Sequence, residues 1–281
     1  MRKVREFSYV RIREKIPKSL KWAFRRLGKN GLFQVRGAGK VFDYEIEPRW
    51  GWEKIYSILG ELYKVEGKGG KLGIYEWVKG EFLRLYVEGL EEKGYREEEN
   101  RRGLGRIMIW KYKPHRFLEI PARRYVLGPS EDVLYLNFVL RVLGFDVGEF
   151  VEVPANFFKV RYLREGKKIW LLSYLILSGV FGYGEEGFLV NTPFLFEEFV
   201  GKIYGGKRFF GKGFIKPDFL LEDGTPLDAK YKERVQRSDI YQAFSYAKIL
   251  GKNRAILVYP KVQPRVITLG DVSIYLEGVW K

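Results

Sequence analysis

Apolar and polar positions alternate in two short runs early in the chain, Leu32-Phe33-Gln34-Val35 and Val41-Phe42-Asp43-Tyr44-Glu45-Ile46. A strand sends successive side chains to opposite faces, so each run predicts a strand. The spacing becomes helical over residues 74–91, where Ile74, Trp77, Val78, Phe82, Leu83, Leu85 and Tyr86 are apolar. The tract Gly67-Lys68-Gly69-Gly70-Lys71 before it reads as a flexible turn. Ile107-Met108-Ile109-Trp110 predicts a further strand, and Ser130-Glu131-Asp132 a helix start ahead of residues 133–143. The longest apolar stretch, residues 169–181, is broken by Ser173, Ser178 and Gly179. It is too short to span a bilayer and predicts a buried helix.

The C-terminal third is patterned more tightly. Thr192 and Pro193 suit the N-cap and first turn of a helix that carries Glu197 and runs to about Tyr204. A glycine-punctuated basic segment follows, with Lys207, Arg208, Lys212 and Lys216. Two short strand-like runs then flank Glu222-Asp223-Gly224-Thr225-Pro226, which predicts a hairpin with a loop longer than two residues. Such a hairpin brings Asp218 close to Asp228. Residues two apart share a strand face, so Asp228 and Lys230 emerge side by side. Asp239 is the expected N-cap of an amphipathic helix whose inward face holds Tyr241, Phe244, Ala247, Ile249 and Leu250. Gln242 lies off that face, toward the hairpin. Ala255-Ile256-Leu257-Val258-Tyr259-Pro260 has the length and flanks of a buried strand.

Composition narrows the partners. The chain has 281 residues, 46% of them hydrophobic, which excludes general disorder and allows one large or two modest domains. Lys and Arg outnumber Asp and Glu by 51 to 35, a net charge of +16. That balance favours a polyanion, with nucleic acid ahead of an anionic membrane. The absence of Cys removes disulfides and thiolate metal sites, and the single His115 removes histidine clusters. No secretory signal is read in the basic first residues, so the expected compartment is the cytoplasm. The abundant Lys, Arg and Glu with few Met also suit a heat-resistant protein.

Asp218, Asp228 and Lys230 carry the candidate chemistry. Two carboxylates suit Mg²⁺, a hard cation that takes oxygen ligands and keeps several waters. A neighbouring ammonium can orient a metal-bound water or steady a phosphate oxygen. Charged residues on a hairpin are more often simply solvated, and the Asp218 to Lys230 pattern alone is loose. Two glycine motifs are set aside. Gly37-Ala38-Gly39-Lys40 lacks the leading Gly, since position 34 is Gln, and has Val41 in place of Ser or Thr, so it is no phosphate loop. Gly182-Tyr183-Gly184-Glu185-Glu186-Gly187 is followed by Phe188-Leu189-Val190-Asn191-Thr192-Pro193 rather than a helix, so it is no dinucleotide site. Basic residues from Arg101, Arg102 and Arg106 through Lys111, Lys113, Arg116, Arg123 and Arg124 offer a surface for DNA or an acidic partner, or a solvated face.

Four segments together resemble the PD-(D/E)xK nuclease superfamily, and within it the McrC subunits of McrBC modification-dependent restriction systems. They are Phe194-Leu195-Phe196-Glu197-Glu198-Phe199-Val200, Lys216-Pro217-Asp218, Leu227-Asp228-Ala229-Lys230-Tyr231-Lys232 and Asp239-Ile240-Tyr241-Gln242-Ala243-Phe244-Ser245-Tyr246-Ala247. Weaker likeness extends to residues 170–177 and 87–90, over about the last two thirds of the chain. The resemblance implies an α+β or α/β fold: a nuclease domain over residues 125–281, with a central mixed sheet flanked by helices, behind a mixed N-terminal partner-binding domain over residues 1–124. It implies Mg²⁺ held by Asp218, Asp228, Glu197 and Ala229, with Lys230 acting on the attacking water and Gln242 beside the site. DNA would lie along Lys207, Arg208, Lys212, Lys216 and Lys232. The implied partner is an McrB-like hexameric AAA+ GTPase, which reads modified cytosine in double-stranded DNA and spends the GTP. A stand-alone nuclease of the superfamily and a non-cutting activator of an NTPase are the other two readings.

Overall fold

A computed structural model of the protein describes residues 1–28, 31–63, 110–111, 124–125, 131–143, 149–184, 187–209, 211 and 215–280. Expectations for Lys212, His115, the 67–71 turn, the helix over 74–91, residues 87–90 and the basic residues 101–109, 113, 116 and 123 lie outside the described residues. The described chain is mixed α+β, with six α-helices and several sheets. It groups into two compact units. One draws on Met1–Ile55 and Glu66–Thr192, the other on Tyr56–Val65 and Pro193–Lys281.

The first unit carries strands β1 (Arg2–Arg5), β2 (Tyr9–Arg11), β3 (Phe24–Arg26), β4 (Leu32–Val35), β5 (Ala38–Val41) and β6 (Tyr44–Glu47). Helix α1 (Trp52–Tyr63) passes from the first group of residues to the second. Then come β7 (Trp110–Lys111), β8 (Arg124–Tyr125), α2 (Glu131–Val142), α3 (Ala155–Glu165), α4 (Lys168–Leu177), β9 (Phe181–Gly184) and β10 (Gly187–Val190). A five-stranded sheet runs β1-β6-β5-β10-β9, and β2-β4-β3 form a smaller antiparallel sheet. Because β9 and β10 complete the N-terminal sheet, the unit around the hairpin takes its main run from Pro193 and not from near Tyr125. Val10, Ile12, Leu20, Phe24, Val35, Val41, Ile46 and Leu189 form one buried core.

Residues 41–46, expected as one strand, are a hairpin. Val41 pairs with Tyr44 across a turn in which Phe42 takes a left-handed φ of 52°. A continuous strand would have put Val41 on the face of Asp43 and Glu45. The two-residue turn lets Val41, Tyr44 and Ile46 all face the core, and that burial outweighs the strain at Phe42. Gly39 serves packing and not phosphate: a Cβ there would run into the carbonyl oxygen of Phe188 on β10. The apolar stretch 169–181 divides into α4, a turn at Ser178-Gly179, and the start of β9. Thr192, the expected N-cap, turns its hydroxyl to Glu6. Glu6 is buried and accepts further bonds from the amides of Gly37 at 2.9 Å and Arg49 at 3.0 Å. Burial raises its pKa, and those bonds oppose the shift.

The second unit holds α5 (Thr192–Ile203, from Pro193 on), β11 (Lys207–Arg208), β12 (Phe219–Leu220), β13 (Pro226–Ala229), α6 (Arg237–Ile249), β14 (Arg254–Tyr259), β15 (Arg265–Leu269) and β16 (Val272–Gly278). Its mixed sheet has the order β11-β12-β13-β14-β16-β15, with β14 parallel to both neighbours. A strand buried this way reads as a continuous apolar run, as residues 255–260 do. Helix α6 lays Ala243 and Ala247 on Ala255, Leu257 and Tyr259, with Val272, Ile274 and Leu276 in the same cluster. Alanine at those positions lets helix and sheet approach closely. Helix α5 packs Phe196 against Tyr231 and Trp280, and its Gly201 faces the Phe219 ring. Among the described residues no helix is long and apolar enough to cross a membrane.

Candidate active site

The hairpin is built as the turn chemistry demands. Phe219 pairs with Leu227 and Leu220 with Pro226, leaving a five-residue loop, Leu221 to Thr225. Asp223 Oδ1 accepts from the Thr225 amide at 3.0 Å, and Gly224 sits at φ 78°, a conformation open to glycine at little cost. Carried back one residue, this register sets Asp218 opposite Asp228. The Ala229 amide donates to Asp218 Oδ2 at 2.8 Å. Asp228 and Lys230 form an ion pair in which their side chains are only 5% and 13% exposed.

Two acids placed together in a buried site are electrostatically costly. Burial, then the charge of Asp228 and that of Glu197, push the Asp218 carboxyl far above the ordinary carboxylate range. Asp228 Oδ2 is buried and, apart from its ion-pair contact with Lys230, makes no hydrogen bond. Burial disfavours the Lys230 ammonium, but Asp228, Asp218 and Asp239 outweigh it and raise its pKa. The pair therefore calls for a shared proton or a cation. That donor set fits Mg²⁺, which needs only one or two carboxylates when water completes its shell. Among the described residues no group of three or more His, Cys, Asp or Glu is placed to hold a metal.

Helix α6 supplies the next layer. Lys230 Nζ donates to Gln242 Oε1 at 2.8 Å, Gln242 Nε2 to the Tyr246 hydroxyl at 2.7 Å, and that hydroxyl to the Lys216 carbonyl at 3.0 Å. The chain of donors orients Lys230 and anchors the backbone two residues ahead of Asp218. Tyr246 was legible, since residues four apart share a helix face, but no role was read for it.

Other expected residues are placed differently. Helix α6 starts at Arg237 and its N-cap is Gln236; Asp239, at the third helical position, closes a capping box with it. This start turns Asp239, Ala243, Tyr246 and Ala247 inward and leaves Tyr241 and Ile249, expected in the core, 61% and 63% exposed. Buried Asp239 accepts from Lys232 Nζ at 2.6 Å and the Tyr259 hydroxyl at 3.0 Å. Lys232, expected on DNA, is thus engaged within the fold. Arg208, also expected on DNA, is clamped by Glu197 Oε1 at 2.6 Å and by Glu198, between the Phe194 and Phe219 rings. Glu197, expected at the metal, points to Arg208; burial, with Glu198 and Asp228, still raises its pKa. Lys207 and Lys216 are exposed. No protein-family model, curated protein or solved structure matches this chain.

Proposed function

We propose that the chain is the DNA-cutting subunit of a GTP-driven restriction complex, hydrolysing phosphodiester bonds with Mg²⁺ at Asp218 and Asp228. The observation that carries the reading is the carboxylate pair beside Lys230, with Asp228 buried and Asp218 half-buried. The resemblance of the same segments to McrC subunits supports the wider assignment. Mg²⁺ bound there supplies a polarised phosphate and a water of lowered pKa. Asp218 and Asp228 would hold the ion, with the Ala229 carbonyl as a further oxygen donor. Lys230 stays protonated at neutral pH, so it meets negative charge on the phosphate rather than accepting a proton. Gln242 and Tyr246 keep its ammonium aimed.

The N-terminal residues would dock on an McrB-like AAA+ GTPase, which selects DNA with modified cytosine. The test is cleavage of methylated and unmethylated plasmid by the chain, with and without that partner and GTP. The expected result is cutting of methylated plasmid only with both present, and no GTP hydrolysis by the chain alone. Robust cutting by the isolated chain, unchanged by partner and GTP, favours a stand-alone nuclease instead.

A further inference from the structure

The small sheet β2-β4-β3 has one largely buried face and one that carries exposed side chains. Val10, Phe24 and Val35 lie in the core. On the other face Tyr9, Gln34 and Arg25 stand in register across the three strands. Arg11, two residues on from Tyr9, shares that face, and Arg36, two residues on from Gln34, follows just beyond the end of β4. Tyr9 is 63% exposed, and Arg11, Arg25 and Arg36 are exposed as well.

Charge makes this face unusual. Residues 1–36 contain twelve Lys and Arg but two acids, Glu6 and Glu14, so they hold a net +10 of the chain's +16. Neither acid serves the face: Glu6 is buried among its own bonds, and Glu14 accepts from the Arg13 amide. Asp43 and Glu45 pair with Arg2 and Lys3. Among the described residues Arg11, Arg25 and Arg36 have no acidic partner. A lone exposed tyrosine is ordinary, and so is a solvated arginine. An exposed aromatic ring in line with guanidiniums that have no acidic partner, on one face of a sheet, is an arrangement that stacks a base and holds the flanking phosphates.

We propose that this face binds single-stranded nucleic acid, with Tyr9 stacking on a base and Arg11, Arg25 and Arg36 on phosphates. Duplex DNA, whose bases are already stacked, gains only the phosphate contacts. The proposal needs no metal and does not rest on the cleavage reading.

The test is fluorescence anisotropy of a labelled oligothymidylate of about twelve nucleotides, within the site sizes of single-strand binders. The full chain is used in EDTA, in an Asp228→Ala background, so that failure of cleavage and failure of this site stay separate. Tyr9→Ala is expected to weaken binding roughly five- to a hundredfold, the worth of one stacked base, and Tyr9→Phe less than about twofold. Arg11→Ala with Arg25→Ala should weaken binding and flatten its salt dependence. Unchanged circular dichroism confirms that the variants fold. Tyr9→Ala within twofold of its parent overturns the proposal. So does displacement of the oligonucleotide by polyglutamate or by duplex as readily as by unlabelled single strand; polyglutamate would point to an acidic protein partner.

Discussion

Lys230 and Gln242 are joined by a 2.8 Å hydrogen bond that ties the end of β13 to α6. Gln242 is exposed, whereas Tyr246 behind it is 7% exposed. Gln242→Ala should therefore cost no more than about 1 kcal/mol of stability, a hydrogen bond's worth. It should lower turnover about tenfold, since a general electrostatic contact is worth at least that when it is preorganised. Tyr246→Phe should lose about 1 kcal/mol, one hydrogen bond's worth, and part of the turnover. Thermal melts beside single-turnover rates check both. A fall in melting temperature with unchanged turnover in Gln242→Ala would contradict the assignment.

Asp218 gives a signature in pH. Its folded pKa is raised, first by burial and then by Asp228. A carboxyl shifted up contributes stability that is fully present below its unfolded value, near 4, and lost as pH rises through the folded value. In EDTA the protein should lose stability as pH rises from about 4 toward about 9. Asp218→Asn should flatten that slope and melt higher than the parent at pH about 8, and saturating Mg²⁺ should flatten it in the parent. Parallel pH profiles for parent and variant would count against a buried acidic pair.

Arg161 organises the helices of the first unit. It bonds Asp132 Oδ1 and Glu165 Oε1, each at 2.9 Å, and lies 4.2 Å over the Trp170 ring. Glu165 also accepts from Trp170 Nε1 at 2.8 Å. Burial raises the Glu165 pKa, but its bonds to Arg161, Arg164 and Trp170 prevail and lower it to about 2. That stability is present above the unfolded carboxyl value and lost as pH falls through about 2. Arg161→Met should cost about 2 kcal/mol at neutral pH, because it leaves half-buried Asp132 without its charged partner and Glu165 with Arg164 alone. Urea denaturation at pH 7 measures it; a cost below about 0.5 kcal/mol would show the cluster to be solvated.

The hairpin was legible because its signals are local. A Gly-containing turn fixes register, register faces Asp218 to Asp228, and alternation adds Lys230. The buried strand from Ala255 was legible from its unbroken apolar run. What the sequence hid depends on competition between distant groups. Arg208 and Lys232 look like phosphate ligands in a basic segment, but Glu197 and Asp239 are nearer partners than any solvent-borne anion. The start of α6 turned on whether Gln236 or Asp239 capped it, and a capping box used both. That shift of the start exposed Tyr241. Residues 41–46 satisfied an alternating pattern, and only the core beneath them favoured a turn.

Asp218 and Asp228 are proposed to hold the metal for phosphodiester cleavage. Single-turnover cleavage of methylated plasmid, with the GTPase partner and GTP present and Mg²⁺ titrated, tests it directly. The parent should cut with saturable Mg²⁺ dependence. Asp228→Ala should fall roughly a hundredfold or more, because the ion supplies several kcal/mol of transition-state stabilisation. It should still bind the partner and raise its GTPase rate. Full cleavage by Asp228→Ala under those conditions would contradict a metal-holding role for Asp228.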